Sequence, residues 1–122
     1  MTITNSRLNE VAKVLNAESY SIPTDNVVAT TTVASIDITA TTLSGVLGTG
    51  IDFDSERTDN VTSFTAIRSG TDVIAATGDT LRSAGMSTAG ISGTLMAGVI
   101  IDELQTTAFD LEFTWAITAN RR

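Results

Sequence analysis

The sequence predicts an all-β fold, an antiparallel β-sandwich or barrel with a short N-terminal helix, and three observations carry that reading. Most of the chain consists of short stretches rich in β-branched residues, Thr above all, separated by Gly, Ser, Asn and Asp. Near the end, from Phe109 to Ile117, apolar and polar side chains alternate strictly. Helical spacing occurs once, ahead of Asn16.

Leu8, Val11, Ala12 and Leu15 recur at the spacing of one helix face, with Thr4, Asn5 and Ser6 available as caps and Arg7, Asn9, Glu10 and Lys13 turned outward. A helix of about three turns is marginal alone in water. Its apolar stripe must therefore dock on its own domain or, as an arm, on another subunit. The division expected is an N-terminal helical arm over residues 1–17 and a β-sandwich domain over residues 18–122.

After the arm, Pro23 with Thr24, Asp25 and Asn26 marks a turn. Val27 to Thr39 then reads as extended structure, closing with Ile36 and Ile38 inward and Asp37 and Thr39 outward. Gly45, Gly48 and Gly50 punctuate TLSGVLGTGIDFD in an order that does not reproduce the dinucleotide-binding fingerprint, and no helix follows, so turns or bulges are expected there. Val61 to Arg68 reads as a strand ending at Ser69-Gly70, and a short one is expected around Val73 to Ala75.

Leu95 to Ile101 has apolar neighbours on both faces, the pattern of a strand covered on both sides or covered by a partner chain. Asp102 to Thr107 leads on, most simply as a hairpin-like antiparallel return. In the closing strand Phe109, Leu111, Phe113, Trp115 and Ile117 face the core, while Asp110, Glu112, Thr114, Ala116 and Thr118 face out.

Composition excludes much chemistry. The 122 residues suit one domain of ordinary size, and they include neither Cys nor His. Disulfides, thiolate nucleophiles, thiolate or imidazole metal sites and histidine-based triads are thereby removed. Seven basic residues stand against fourteen acidic ones, giving a net charge of −7 with Lys13 as the single lysine, which argues against a nucleic-acid partner. The N-terminus has no signal-sequence pattern and the longest apolar run, Leu95 to Ile101, is too short for a membrane span, so a soluble protein made in a cytoplasm, with no membrane partner, is expected. Mean hydropathy is +0.20 although 17% of residues are charged. Apolar surface must be hidden in a core or against neighbours.

No candidate for chemistry survives comparison with a plainer reading. Asp52, Asp54, Glu56 and Asp59 in IDFDSERTDN begin like a calcium loop, but the required glycine and a closing bidentate acid are missing, and Arg57 opposes a cation; a solvated acidic turn is expected. No feature selects a carboxylate pair for glycoside hydrolysis, and aromatics for sugar stacking are few. Tyr20 and Lys13 stand alone, Asn60-Val61-Thr62 reads as a strand entry, and Trp115, Phe113 and Phe109 read as core. No catalytic residue, metal site or cofactor is assigned.

The stretch GDTLRSAGMSTAGISGTLMAGVIIDELQTTAFDLEFTWAIT resembles a widespread group of small tailed-bacteriophage virion structural proteins and the related head-proximal portions of some tail-fibre proteins. The parts that carry the resemblance are Leu81 to Met86, Ser92 to Leu95, Met96 to Ile101, Gln105 to Thr107 and Phe109 to Ile117, preceded by VTSFTAIRSGTDVI. The chain departs from the pattern at Ser83-Ala84, where an acidic residue is common, and at Met86, where Leu is usual. The resemblance implies a β-sandwich virion component without an active site, assembled in the host cytoplasm as a homo-oligomer with copies of itself and other virion proteins as partners. The tail, neck or collar is the leading place, a capsid decoration protein the alternative, and a host-surface adhesin a reading from a different class. For an assembly interface the expected residues are Leu8, Val11 and Leu15 of the arm, with Leu95, Val99 and Ile101 lining a core or a subunit contact.

Overall fold

In a computed structural model that describes residues 1–68, 80–104 and 110–119, the elements run β1 (Thr2–Ile3), α1 (Asn5–Leu15), β2 (Asp25–Ala29), β3 (Val46–Asp52), β4 (Asp54–Thr58), β5 (Val61–Arg68), β6 (Thr80–Ser87), β7 (Leu95–Leu104) and β8 (Leu111–Thr118). A five-stranded sheet has the order β1-β7-β6-β2-β3 and a three-stranded sheet the order β4-β5-β8. Every pairing between these strands is antiparallel. The fold is all-β and sandwich-like, with two separate sheets rather than a closed barrel.

The sheets meet where the chain leaves β3 for β4 through the single residue Phe53. Its amide donates to the Thr24 carbonyl at 2.8 Å, and its ring meets Phe64 edge-on with centroids 5.7 Å apart. The main core fills the space between the sheets: Val28, Leu81, Ala84, Met86, Met96 and Ala97 come from the larger sheet, Phe64 and Trp115 from the smaller. β8 pairs with β5 without a break from Arg68↔Leu111 to Val61↔Thr118. Its burial alternates as its sequence does, with Trp115 buried, Leu111, Phe113 and Ile117 half-buried, and the residues between them exposed. Phe109 and the strand expected around Val73 to Ala75 lie outside the described residues.

Two sequence expectations are corrected. β7 and β8 do not form a hairpin: β7 lies between β1 and β6 in one sheet, whereas β8 pairs with β5 in the other. A strand apolar on both faces is covered on both sides, as β7 is at its start, and a strand with one apolar face has one side in water, as β8 has; neither pattern says which strand lies alongside. The extended reading of Val27 to Thr39 holds only as far as Ala29. Beyond it the chain turns, with Asp37 accepting hydrogen bonds from the Thr39 amide at 2.8 Å and hydroxyl at 2.7 Å, so that Ile36 is half-buried and Ile38 is exposed. β-branched composition favours extension only where a neighbouring strand supplies a ladder.

The loop between β2 and β3 covers the outer face of the larger sheet. Leu43 is buried there with Val27, Ala29 and Leu95, and Ile36, Ala40 and Val46 pack around them. A cross-strand pair of glycines, Gly85↔Gly98, makes room. A Cβ on Gly85 would come within 2.5 Å of Leu95 Cδ1 and 3.1 Å of the Ala97 carbonyl, while one on Gly98 would crowd only the movable end of Ile36, at 2.5 Å, and stand at ordinary distance, 3.6 Å, from the Ala84 carbonyl. Gly85→Val is therefore expected to destabilise by about 1–3 kcal/mol through overpacking, and Gly98→Val by less, as read from urea unfolding midpoints.

The glycines ahead of β4 fall at a turn and a bulge. Gly45 sits at φ +73 just before β3. The β2–β3 register shifts between Asn26↔Ile51 and Val28↔Leu47, which leaves extra residues of β3 around Gly48 and Gly50. Gly50 also lets the backbone of Gly90 approach, since a Cβ there would lie 2.7 Å from Gly90 Cα.

Candidate assembly surface

α1 is amphipathic and mounted with its polar side inward. Ser6, Asn9, Glu10 and Lys13 line a recess with Ser21, Thr88, Thr94 and Met96, facing the end of the β6–β7 hairpin. At 3.6 residues per turn, Leu8, Val11 and Leu15 point the opposite way. They are 57%, 41% and 85% exposed, and Val14 beside them is also exposed. Among the residues of the helix only Glu10 is buried. The stripe that should drive a short helix to dock thus faces away from its own domain.

Polar contacts hold it instead. Thr4 occupies the N-cap position, but its hydroxyl is engaged elsewhere: it donates to the Leu95 carbonyl at 2.7 Å, while its amide donates to the Met96 carbonyl at 3.1 Å. The Asn5 amide donates to the Ile38 carbonyl at 2.7 Å. β1 precedes these residues and pairs with Ala97 and Gly98 of β7, so the start of the arm is stitched to the edge of the larger sheet. At the other end the Glu10 carboxylate accepts from Lys13 Nζ at 2.8 Å and from the Ser21 amide at 2.7 Å, tying the helix to the chain that follows it.

The hydrogen bond from Lys13, then that from the Ser21 amide, hold the Glu10 carboxyl below its ordinary range, with smaller help from the Lys13 and Arg7 charges. A carboxylate whose folded-state value is depressed contributes fully above its unfolded value and loses that contribution as pH falls through the folded one. The protection factors of the Ser21 amide and of the last turn of α1, that is, exchange corrected for its intrinsic pH dependence, are accordingly expected to fall on acidification below the ordinary glutamate range. Glu10→Gln is expected to remove that pH dependence.

The strand residues assigned with the arm lie deeper. Leu95 is 1% exposed, enclosed by Val27, Ala29 and Leu43 of its own chain. Val99 and Ile101 are half-buried against the main core. On the outer side of the same strand Ile100 is 43% exposed. The intrachain loop thus covers one face of β7 at its start, the main core covers the other, and the later part of the outer face is open.

The acidic segment is a strand and not a turn. All five residues of β4 are exposed at the edge of the smaller sheet, and a two-residue turn, Asp59-Asn60, returns the chain into β5 with Asp59 at φ +52. Arg57 donates to the Asp59 carbonyl at 2.7 Å, and the Asn60 side-chain amide donates to the Ala119 carbonyl at 2.9 Å. Among the described residues no three acidic side chains come close enough together to hold a metal ion. No helix among them is long and apolar enough to cross a membrane.

One feature escaped sequence reading. The seam between the sheets opens beside β8 in a pocket of about 250 Å³ lined by Met1, Val99, Phe113, Thr114, Trp115 and Ala116. Period-two alternation identifies the buried face of a strand but is silent on whether both of its edges are paired. In comparisons with family models, curated proteins and solved structures, the chain matches none.

Proposed function

We propose that this chain is a non-enzymatic structural subunit of a bacteriophage particle, packing in several copies on the tail, neck or collar. The observation that carries the packing role is the outward-facing stripe of α1. Three large apolar side chains at helical spacing stand in water on a helix whose polar face is turned to its own domain. Such a stripe is stable in quantity only where a neighbour buries it. The particle is what the resemblance of the C-terminal half implies.

Charge is consistent with neighbours of the same kind. α1 carries two of the seven basic residues, Arg7 and Lys13, and one of the fourteen acidic ones, Glu10, so the arm is slightly positive on an acidic protein. The test is fractionation of a lysate of cells infected by the phage that encodes the chain. The chain is expected to sediment with intact particles and to resist removal by salt; a chain left wholly in the soluble fraction would overturn the proposal.

A further inference from the structure

We infer that two copies of this chain pair edge to edge through β8, antiparallel and across a two-fold axis, joining their three-stranded sheets into one. The inference rests on the proposed multi-copy role and names one of its contacts. β8 is eight residues long and pairs with β5 along its whole length, while no described strand lies along its other edge. A long open edge presents a row of unpaired amides and carbonyls, and natural proteins protect such edges unless they are used.

The other edges of the two sheets carry that protection. β1 has only two residues. β3 is broken by its bulge. β4 carries Asp54, Glu56 and Arg57, all exposed. β8 has no register shift and no proline, and Glu112 is its sole charge. The pocket at the sheet seam opens along this same edge, with Phe113 half-buried and Trp115 buried at its wall.

The strand is complementary to itself. Antiparallel pairing keeps side chains on their own face, so a two-fold axis at Thr114 sets Phe113 against Trp115 of the partner subunit and Leu111 against Ile117 of the partner subunit. Apolar residues then line the inner face throughout. Glu112 falls opposite Ala116 of the partner subunit, so the one charge of the strand does not meet itself. The same operation on β4 would set Glu56 against Glu56 of the partner subunit, and like charges directly opposite are unfavourable. The two edges of this sheet thus differ in whether they tolerate a second copy.

The absence of cysteine makes the test clean. Residues opposite each other in an antiparallel pair have Cα atoms about 4.5–5.5 Å apart, within the span of a disulfide. Thr114→Cys is expected to give a covalent dimer on mild oxidation, and Glu56→Cys, on the opposite edge, is expected to give none. Thr114→Glu with Ala116→Glu, both on the exposed face, lines up like charges across the axis and is expected to convert a sedimenting dimer to a monomer with an unchanged circular dichroism spectrum. A wild-type chain that sediments as a monomer, or a Thr114→Cys chain that cross-links no better than Glu56→Cys, would overturn the pairing. Were that same chain still to sediment with particles, the structural role would stand and only this contact would fall.

Discussion

Trp115→Ala is expected to destabilise the domain by about 3–5 kcal/mol, the range for truncating a large buried aromatic. Small domains have total stabilities of about 5–15 kcal/mol, so most of the margin would go. Trp115 reaches from the edge strand of the smaller sheet into the space between the sheets, where Phe64 is its partner from the same sheet and Leu81, Ala84 and Met86 belong to the facing one. Removing it leaves a void at the seam already opened by the neighbouring pocket. Thermal or urea unfolding should show a large fall in midpoint together with a loss of soluble yield.

Trp115→Phe provides the internal control. The indole Nε1 of Trp115 is buried without a hydrogen-bond partner among the described residues. Burying a polar group unsatisfied costs about 1–3 kcal/mol, and phenylalanine removes that cost while keeping most of the ring. The Phe variant is therefore expected to lose far less than the Ala variant. Equal losses from both would contradict a core role for the ring of Trp115.

The second large effect is on assembly and leaves the fold alone. Leu8→Asp combined with Leu15→Lys removes the two most exposed large apolar side chains of α1. The substitutions place an acid towards the helix N-terminus and a base in the last turn, the favourable sense for the helix dipole. Stability is expected to change by no more than about 0.5 kcal/mol, as for other surface substitutions, while recovery in sedimented particles falls to background. Unchanged recovery of the double variant would remove the stripe from the assembly surface.

The parts of this fold that were legible in the sequence are those in which one chain segment determines its own burial. The alternation from Leu111 to Ile117 returns as alternating burial along β8, and Val61 to Arg68 is β5 to the residue. The helix also falls where Leu8, Val11 and Leu15 place it. What its periodicity could not supply is which way the stripe faces. That orientation is set from outside the helix, by Thr4 on the Leu95 and Met96 backbone and by Glu10 on Lys13 and Ser21.

Long-range pairing was illegible for a similar reason. The chain order of β7 and β8 invites a hairpin, but the pleat of a strand specifies a buried face and not a partner. Thr30 to Thr39 has the composition of a strand and lies instead in a loop that packs Ile36 on the outer face of the larger sheet, a contact made with residues far along the chain. β4 was missed for the opposite cause: DSERT has no apolar side to signal it, and pairing with β5 through the Asp59-Asn60 turn alone keeps it extended. That no described strand lies along the second edge of β8 likewise depends on what is next to it in space.

The two-sided apolar character of Leu95 to Ile101 now has a partly internal explanation. Leu43 and Ile36 of the loop after β2 cover the start of the strand on its outer face, and the main core covers the other. Less of the apolar surplus is thus left for neighbours than composition alone implies. Among the described residues the densest remaining exposed group is Leu8, Val11, Val14 and Leu15 on α1, while Tyr20, Ile22, Ile38, Ile67, Ile91 and Ile100 are exposed at separate places.

Copy number in purified particles tests the central claim most directly. Quantitative mass spectrometry against the major capsid protein is expected to return a fixed stoichiometry on the order of tens of copies or fewer per particle, as symmetric rings on a tail or neck require. Abundance equal to that of the major capsid protein would move the chain to the head surface as a decoration protein. Absence from particles that are otherwise complete would contradict a structural role altogether.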